Sequence, residues 1–325
     1  MSVPETFPAF VAEQDGDDVR RGVQEFAAAG LHEGDVTIRV THSSVNYKDA
    51  LATIPKGGVA RTSPLIPGVD AVGEDVESGA TVLVTGHGLG VAHHGGWAQY
   101  ARVPGDWVLE LPDGLAPREA MALGTAGLTA GLSLHALEAR GLAPGDGPVL
   151  VLGSTGGVGS VAVGALAAAG YEVVAATGKE DEHDYLRGLG ASDVIGRDEV
   201  TAAPERPLEK QRWAGVVDPV GGAATAYAVR TTRYGGAVAV SGLTAGPKLE
   251  TTVLPFILRG VSLLGIESVD APVELRRDVW RHLATDWRPA GLEESIAREI
   301  GLDGIEPVLD TLLAGKAVGR TVVAL

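Results

Sequence analysis

No cysteine occurs in the 325 residues, methionine occurs twice, and aromatics make up 5% of the chain. Without cysteine there is no disulfide framework, no thiolate nucleophile and no Cys-ligated zinc. The chain fits a reducing compartment, so a cytoplasmic location is expected. Lysine is scarce too, six against twenty arginines, and 26 bases face 42 acids to leave a formal charge of −16. A chain of that sign repels phosphate backbones unless a local basic patch intervenes. No run of Lys or Arg supplies one, so nucleic acid is not an expected partner. The first thirty residues carry several acids and no apolar segment of the kind a secretory signal needs, and none is expected. One uncharged stretch is long enough to cross a bilayer, the twenty-three residues from Val149 to Tyr171. Six glycines interrupt it, and it divides into a short apolar run, a Gly/Ser/Thr turn and an alanine-rich helical run, so no membrane partner is expected.

What is present is a chain 45% hydrophobic and 21% charged, with 46 glycines. That is too apolar for disorder, and about twice a typical single-domain length, which predicts two domains or one large α/β unit. The first hundred residues read as short strands and turns, at 36–41, 68–76, 81–85 and 97–103. After the Pro112-Asp-Gly turn the apolar spacing becomes helical, from Pro117 to Arg140. Strands then alternate with helices: strand 148–152, helix 158–169, strand 172–176, helix 184–189, and strands at 193–195, 214–218 and 237–241. Near-continuous apolar strands joined by helices predict a parallel sheet covered on both faces. From about Leu254 the pattern shifts again, through a strand at 261–265, a charged helix at 273–283 and a terminal strand at 320–324. The predicted organisation is a β-rich unit of residues 1–117 and 255–325 around an α/β unit of residues 118–254.

The segment Gly153-Ser154-Thr155-Gly156-Gly157-Val158-Gly159 stands between a buried strand and a helix start. In that setting small residues let the backbone approach a pyrophosphate, and the helix N-terminus offers free N–H groups to it. The spacing is G-x-x-G-G-x-G, a looser form of the G-x-G-x-x-G dinucleotide fingerprint. The next strand ends in Thr177-Gly178-Lys179, where an NAD site would carry an acid for the ribose 2′-hydroxyl. A hydroxyl and an ammonium suit a 2′-phosphate instead, which points to NADPH; Glu180 and Asp181 follow directly.

Together with this loop, Ser44–Leu51, Gly124–Thr129, Asp184–Ala191, Val217–Gly222, Ser241–Leu243 and Ile257–Ile266 resemble the medium-chain dehydrogenase/reductase superfamily. Within its zinc-free, quinone oxidoreductase-like division they resemble the acrylyl-CoA reductase branch, over essentially the whole chain. The resemblance implies a GroES-like catalytic domain formed by both chain ends, a Rossmann domain between them, and a homodimer. Zinc members of this superfamily use a Cys, a His-Glu pair after Pro-Gly, and a further Cys as catalytic ligands. Here Asn46 stands at the first position, Val69-Asp70 follows Pro67-Gly68, and Thr125 lies near the last. A hydrocarbon at Val69 cannot coordinate, so no metal is expected. His87, His93 and His94 lie in a Gly-rich loop without a ligand pattern, and a solvated or hydrogen-bonded role is expected of them.

Without a Lewis acid, the natural chemistry is hydride transfer to a carbon made electrophilic by conjugation. The expected activity is NADPH-dependent reduction of an activated C=C bond, with acrylyl-CoA as substrate. Alternatives are a quinone or free enone on the same fold, or a catalytically silent NADPH-binding sensor. Asn46, Tyr47 and Asp49 are the candidate catalytic residues: Asn46 or Tyr47 as donor to a forming enolate oxygen, Tyr47 as proton relay, Asp49 as orienting group. The resemblance further implies cofactor contacts from Thr125 and Thr129 and from Ser241-Gly242-Leu243 and Leu264-Gly265-Ile266 near the carboxamide. It also implies Tyr185 and Arg187 on the adenosine side, and Arg320 on cofactor or substrate.

Overall fold

The chain opens on a long antiparallel hairpin, β1 (Thr6–Asp15) and β2 (Asp18–Ala27), in a computed structural model that describes residues 3–204, 206–292 and 297–325. Phe7 and Phe10 of β1 turn inward onto Trp97 and Ile66. Then come β3 (Val36–Ser44), α1 (Tyr47–Ala52), β4 (Asp70–Asp75), β5 (Thr81–Thr85), β6 (Tyr100–Val103), β7 (Leu109–Glu110) and α2 (Pro117–Glu138). The middle of the chain supplies β8 (Val149–Val151), α3 (Gly157–Ala168), β9 (Val173–Thr177), α4 (His183–Gly188), β10 (Asp193–Gly196) and α5 (Arg197–Thr201). It continues with β11 (Trp213–Asp218), α6 (Gly222–Thr231), β12 (Thr232–Val240), α7 (Leu254–Arg259) and β13 (Ser262–Gly265). The chain ends through α8 (Val273–Ala284), β14 (Ala297–Ile300), α9 (Ile305–Leu313) and β15 (Arg320–Ala324).

Two units result. The first comprises Met1–Thr125, Val269–Arg277 and Ile296–Leu325. Its seven-stranded sheet has the order β14-β15-β3-β4-β5-β7, with β6 also on β3. Register places its chemistry: β15 runs antiparallel on β3 with Val322 opposite Ser44, and β3 runs antiparallel on β4 with Ser43 opposite Ala71. The start of β15, the end of β3 and the start of β4 therefore meet, which brings Arg320, Ser44 and Asp70 together from far apart in sequence.

The second unit comprises Ala126–Ser268 and Asp278–Ser295. Its six strands are all parallel, in the order β10-β9-β8-β11-β12-β13. Numbered within the unit this is 3-2-1-4-5-6, the Rossmann order, in which the order of the strands reverses between β8 and β11; such sheets take ligands at the carboxyl ends of the strands there. The sequence-based boundary at 254/255 differs from this division. Strand β13 pairs in parallel with β12, Ser262 opposite Ala237, and so extends the parallel sheet. A short alternating strand carries no sign of which sheet it will join. Helix α2 is long and apolar enough to cross a membrane, yet 83% of its most apolar window is buried within the protein.

In the first unit the glycine-rich loop after β5 packs its histidines rather than leaving them in solvent. His94 is 3% exposed and stacks on His32, ring centroids 4.1 Å apart. His94 Nδ1 accepts the Ile66 N–H at 3.1 Å, while His32 Nδ1 accepts the His94 N–H at 3.1 Å. Both bonds need a neutral acceptor nitrogen. Burial, helped by the neighbouring His32 and His93, pulls His94 down to about 4. Folding thus excludes a proton that the unfolded chain takes up near 6.5, so this contribution to stability is complete above pH 6.5 and is lost as pH falls toward 4. Asn at position 94 keeps an acceptor without titrating. Between pH 7 and 5, His94→Asn is expected to lose less melting temperature than wild type, by at most about 8 °C; equal losses in scanning calorimetry would contradict the assignment.

Candidate active site and cofactor cradle

Asp70, the first residue of β4, is fully buried and forms the centre of the first unit's polar cluster. Its Oδ2 accepts from Ser44 Oγ at 2.5 Å and Asn46 Nδ2 at 2.8 Å. Its Oδ1 accepts from Thr125 N at 2.9 Å and Thr125 Oγ1 at 2.6 Å. Arg320, 4% exposed, completes the cluster with an ion pair to Asp70 at 3.9 Å. The same guanidinium donates to Ala122 O and Asn46 Oδ1 at 3.0 Å, Val45 O at 3.3 Å and Ser44 Oγ at 3.0 Å. Four hydrogen bonds and the ion pair thus hold the guanidinium in this cluster. Arg320 is therefore anchored inside the first unit by its own chain. Burial lowers its pKa, with Asp70 and Asp49 opposing.

Gly124 makes the cluster possible. Helix α2 breaks there, with φ 53° and ψ −155°, so Thr125 N–H turns to Asp70. A Cβ on Gly124 would stand 2.5 Å from Asp70 Oδ2 and 2.9 Å from an Arg320 nitrogen.

The candidate catalytic residues separate. Asn46 is 9% exposed; its amide nitrogen reaches Ser44 Oγ, Asp70 and Asp49, and its oxygen is taken by Arg320. It has no N–H left for an enolate, so the donor role expected of it is corrected to one within the cluster. Asp49 is fully buried. It accepts the Asn46 N–H at 2.8 Å, as the third residue of a helix does for its N-cap, and the Val69 N–H at 2.9 Å. Burial first and the charge of Asp70 second push its carboxyl up to about 7. Tyr47, the first residue of α1, is 44% exposed and remains the exposed polar group of the trio.

In the second unit the glycine loop turns from β8 into α3 as expected, with Gly156 as N-cap and no side chain capping the helix. A Cβ on Gly159 would lie 2.3 Å from Gly153 O, so only glycine allows this close turn. Gly157, Val158 and Gly159 form the first turn, whose N–H groups form the kind of anion cradle a pyrophosphate uses. Thr155 is buried in the turn. Ser154 is not part of the cradle: Oγ donates to Val151 O at 2.7 Å and accepts from Ala176 N at 2.9 Å, and its own N–H goes to Ala176 O. It bolts the loop to β9 instead.

At the tip of β9, Thr177 Oγ1 accepts the Lys179 N–H at 3.1 Å. A Cβ on Gly178 would meet Arg197 Nε at 2.7 Å, so the Arg197 guanidinium lies over Gly178. Burial, and then the Arg197 cation, lower the Lys179 ammonium, with Glu182 opposing. Arg197 was not legible from sequence spacing. The parallel register that sets Gly196 opposite Thr177 brings it there, and among the described residues it carries no ion pair.

Tyr185 Oη, near Ser160, is buried without a well-formed partner among the described residues, and burial pushes the phenol up to about 12. Ser241 Oγ is likewise buried and unpartnered there. Two orphaned hydroxyls, a cradle and a cationic strand tip fit a phosphorylated dinucleotide. Arg187 pairs with Asp184 at 3.0 Å on its own exposed helix face. Thr125 gives its hydroxyl to Asp70, and Thr129 donates to Ser268 Oγ at 3.0 Å. Gly242 packs close on Pro219 O, Leu243 is exposed, and Leu264, Gly265 and Ile266 lie along the edge strand β13 and its end.

Residues 32–113 match the alcohol dehydrogenase GroES-like domain family, and residues 157–285 the zinc-binding dehydrogenase family. The chain is 46% identical to the Bacillus subtilis protein YhfP, provisionally a quinone oxidoreductase, covering 98% of this chain and 99% of that one. It is 44% identical to the acrylyl-CoA reductase AcuI of Ruegeria pomeroyi, covering 98% of each. Among solved structures, the yhdH oxidoreductase of Salmonella enterica in complex with NADP superposes with a TM-score of 0.94 at 45% identity, covering 98% and 99%. YhfP with NAD bound gives 0.96 at 46%, covering 99% and 100%.

Proposed function

Because this chain belongs to the medium-chain dehydrogenase/reductase family, in its acrylyl-CoA reductase branch, we propose that it reduces the C=C bond of acrylyl-CoA to propionyl-CoA with NADPH, without zinc. The carrying observation is the Asp70 cluster. The positions that resemble metal-ligand positions hold an amide and a hydroxyl already committed to Asp70, and a hydrocarbon at Val69. That donor set suits no zinc ion. Bound NADPH supplies the hydride. The substrate's terminal alkene carbon accepts it, charge builds on the thioester oxygen, and a proton goes to Cα; Tyr47 is the exposed phenol able to donate to that oxygen or relay that proton. The cradle of α3 holds the pyrophosphate, Tyr185 and Ser241 offer hydroxyls, and Lys179 with Arg197 take the 2′-phosphate.

Substrate preference tests the reading. With equal NADPH, kcat/KM for acrylyl-CoA is expected to exceed that for benzoquinone at least tenfold. Preference for the quinone, as the relation to YhfP would allow, overturns the substrate; absence of turnover on enoyl thioesters, enones and quinones despite NADPH binding supports a silent binding protein. For the cofactor, Arg197→Ala is expected to raise KM for NADPH about 10- to 100-fold, the equivalent of about 1.4–2.8 kcal/mol, and to leave KM for NADH within twofold. Equal changes for both would remove Arg197 from the 2′-phosphate site.

A homodimer and a cytoplasmic working place complete the reading. Strand β13 ends its sheet, and Leu263 on it, with Val253, Ile257 and Leu258 around α7, is exposed and apolar. That edge and patch are suited to a second copy of the chain. Light scattering gives the mass, and a monomer at micromolar concentration would discard the dimer.

A further inference from the structure

We propose that the buried Arg320–Asp70 pair is the positioning centre of the reduction site, fixing Asn46 and the first turn of α1 so that the Tyr47 phenol keeps one orientation. The inference rests on the reductase reading above. Arg320 grips the oxygen of Asn46 and Asp70 grips its nitrogen, at 3.0 and 2.8 Å. Both ends of one amide are thus held by opposite charges, and the amide cannot rotate without breaking both contacts. Asn46 is the N-cap of α1, and Asp49 ties the Asn46 backbone to that helix and the Val69 backbone to both. Tyr47 is the next residue, so its backbone has little freedom while its side chain stays exposed. Ser44, between Asp70 and Arg320, closes the ring of contacts.

The energetics favour such a role. A buried ion pair contributes little net stability compared with apolar replacements, whereas removing one partner strands a charge. What it supplies here is a fixed geometry, since a guanidinium with five directional donors defines the positions of its acceptors. A lysine offers three donors from one point and cannot hold Ala122 O, Asn46 Oδ1 and Ser44 Oγ at once. Arg320 is then a positioning residue that acts through Asn46 and Tyr47.

The test is a cycle of Arg320→Lys and Tyr47→Phe, with Arg320→Gln/Asp70→Asn, which removes both charges together, as the second variant if the lysine fails to fold. Arg320→Lys is expected to lower kcat for acrylyl-CoA at least tenfold while the Kd for NADPH, from its fluorescence, stays within twofold. In the Tyr47→Phe background the same change is expected to alter kcat less than threefold, because the group being positioned is gone. A tenfold rise in the NADPH Kd would make Arg320 a cofactor contact, and unchanged kcat with only a lower melting temperature would make it structural; either result overturns the proposal. So do fully additive effects. If the wild-type enzyme reduces no enoyl thioester, the reductase reading fails separately. The 19F spectrum of the 3-fluorotyrosine-labelled protein then decides: a single Tyr47 signal, assigned by its loss in Tyr47→Phe, is expected to broaden or split on Arg320→Lys, and an unchanged signal overturns the proposal.

Discussion

Gly124→Ala is expected to lower the melting temperature by about 10 °C and to abolish most of the activity. Two costs add. The backbone at φ 53° and ψ −155° lies where residues with a Cβ are strained by about 1–3 kcal/mol. The new methyl would also stand 2.5 Å from Asp70 Oδ2, 2.9 Å from Arg320 and 3.1 Å from Ser44 Oγ, so the buried pair must part. Breaking a buried pair costs about 3–5 kcal/mol, and part of that is recovered if water follows the carboxylate. For units of this size a loss of about 4 kcal/mol corresponds to about 8–16 °C. Differential scanning calorimetry measures it. A variant melting within 2 °C of wild type, with kcat unchanged, would show that the break in α2 is not what admits Asp70.

Gly159→Ala is expected to raise the Kd for NADPH and for NADH alike, by a hundredfold or more, with the fold retained. The φ of Gly159 is ordinary, so the cost comes from contact alone: the added carbon would lie 2.3 Å from Gly153 O and 2.7 Å from Ser154 Cα. The loop must move off the helix, and the N–H groups of the first turn of α3 then no longer converge on one point. A hundredfold loss is about 2.8 kcal/mol, the size of one or two charge-assisted hydrogen bonds. Because both cofactors share the pyrophosphate, the effect is blind to the 2′-phosphate, unlike that of Arg197→Ala. Fluorescence titration with each cofactor separates the two; affinity within threefold of wild type would mean that the pyrophosphate is held elsewhere.

The acid response of the fold combines two opposed groups. His94, held down at about 4, costs stability as pH falls below 6.5. Asp49, held up at about 7, favours the folded state increasingly over the same fall, since the native carboxyl binds a proton that the unfolded one has not yet taken. A shallow wild-type profile between pH 7 and 5 is the expected sum, which is why the His94→Asn comparison is needed to resolve either part.

Several elements were open to reading in one dimension. The turn from β8 into α3 announces itself by glycine spacing between an apolar strand and an alanine-rich helix, and β9, β11 and α8 follow from apolar periodicity within a residue or two. The hairpin β1–β2 was missed: β2 alternates only weakly and is largely exposed, so its hydropathy does not mark a strand. The break in α2 was missed because a helical apolar pattern continues through Gly124.

The site divides in the same way. Local sequence determined what lies within one turn or one strand tip: the cradle at Gly156–Gly159, the lysine after Thr177, the absence of metal-binding side chains at positions 46, 69 and 125. Tertiary structure decided which charges meet. Arg320 and Asp70 are 250 residues apart and become neighbours only through the registers of β15 on β3 and β3 on β4, and Arg197 reaches Gly178 only through the register of β10 on β9. Periodicity reports which face of a strand is apolar, but the partner strand and its offset depend on how whole faces bury against each other. The glycine loop could therefore be read from its own residues, whereas the ion pair beside Asn46 required the folded sheet.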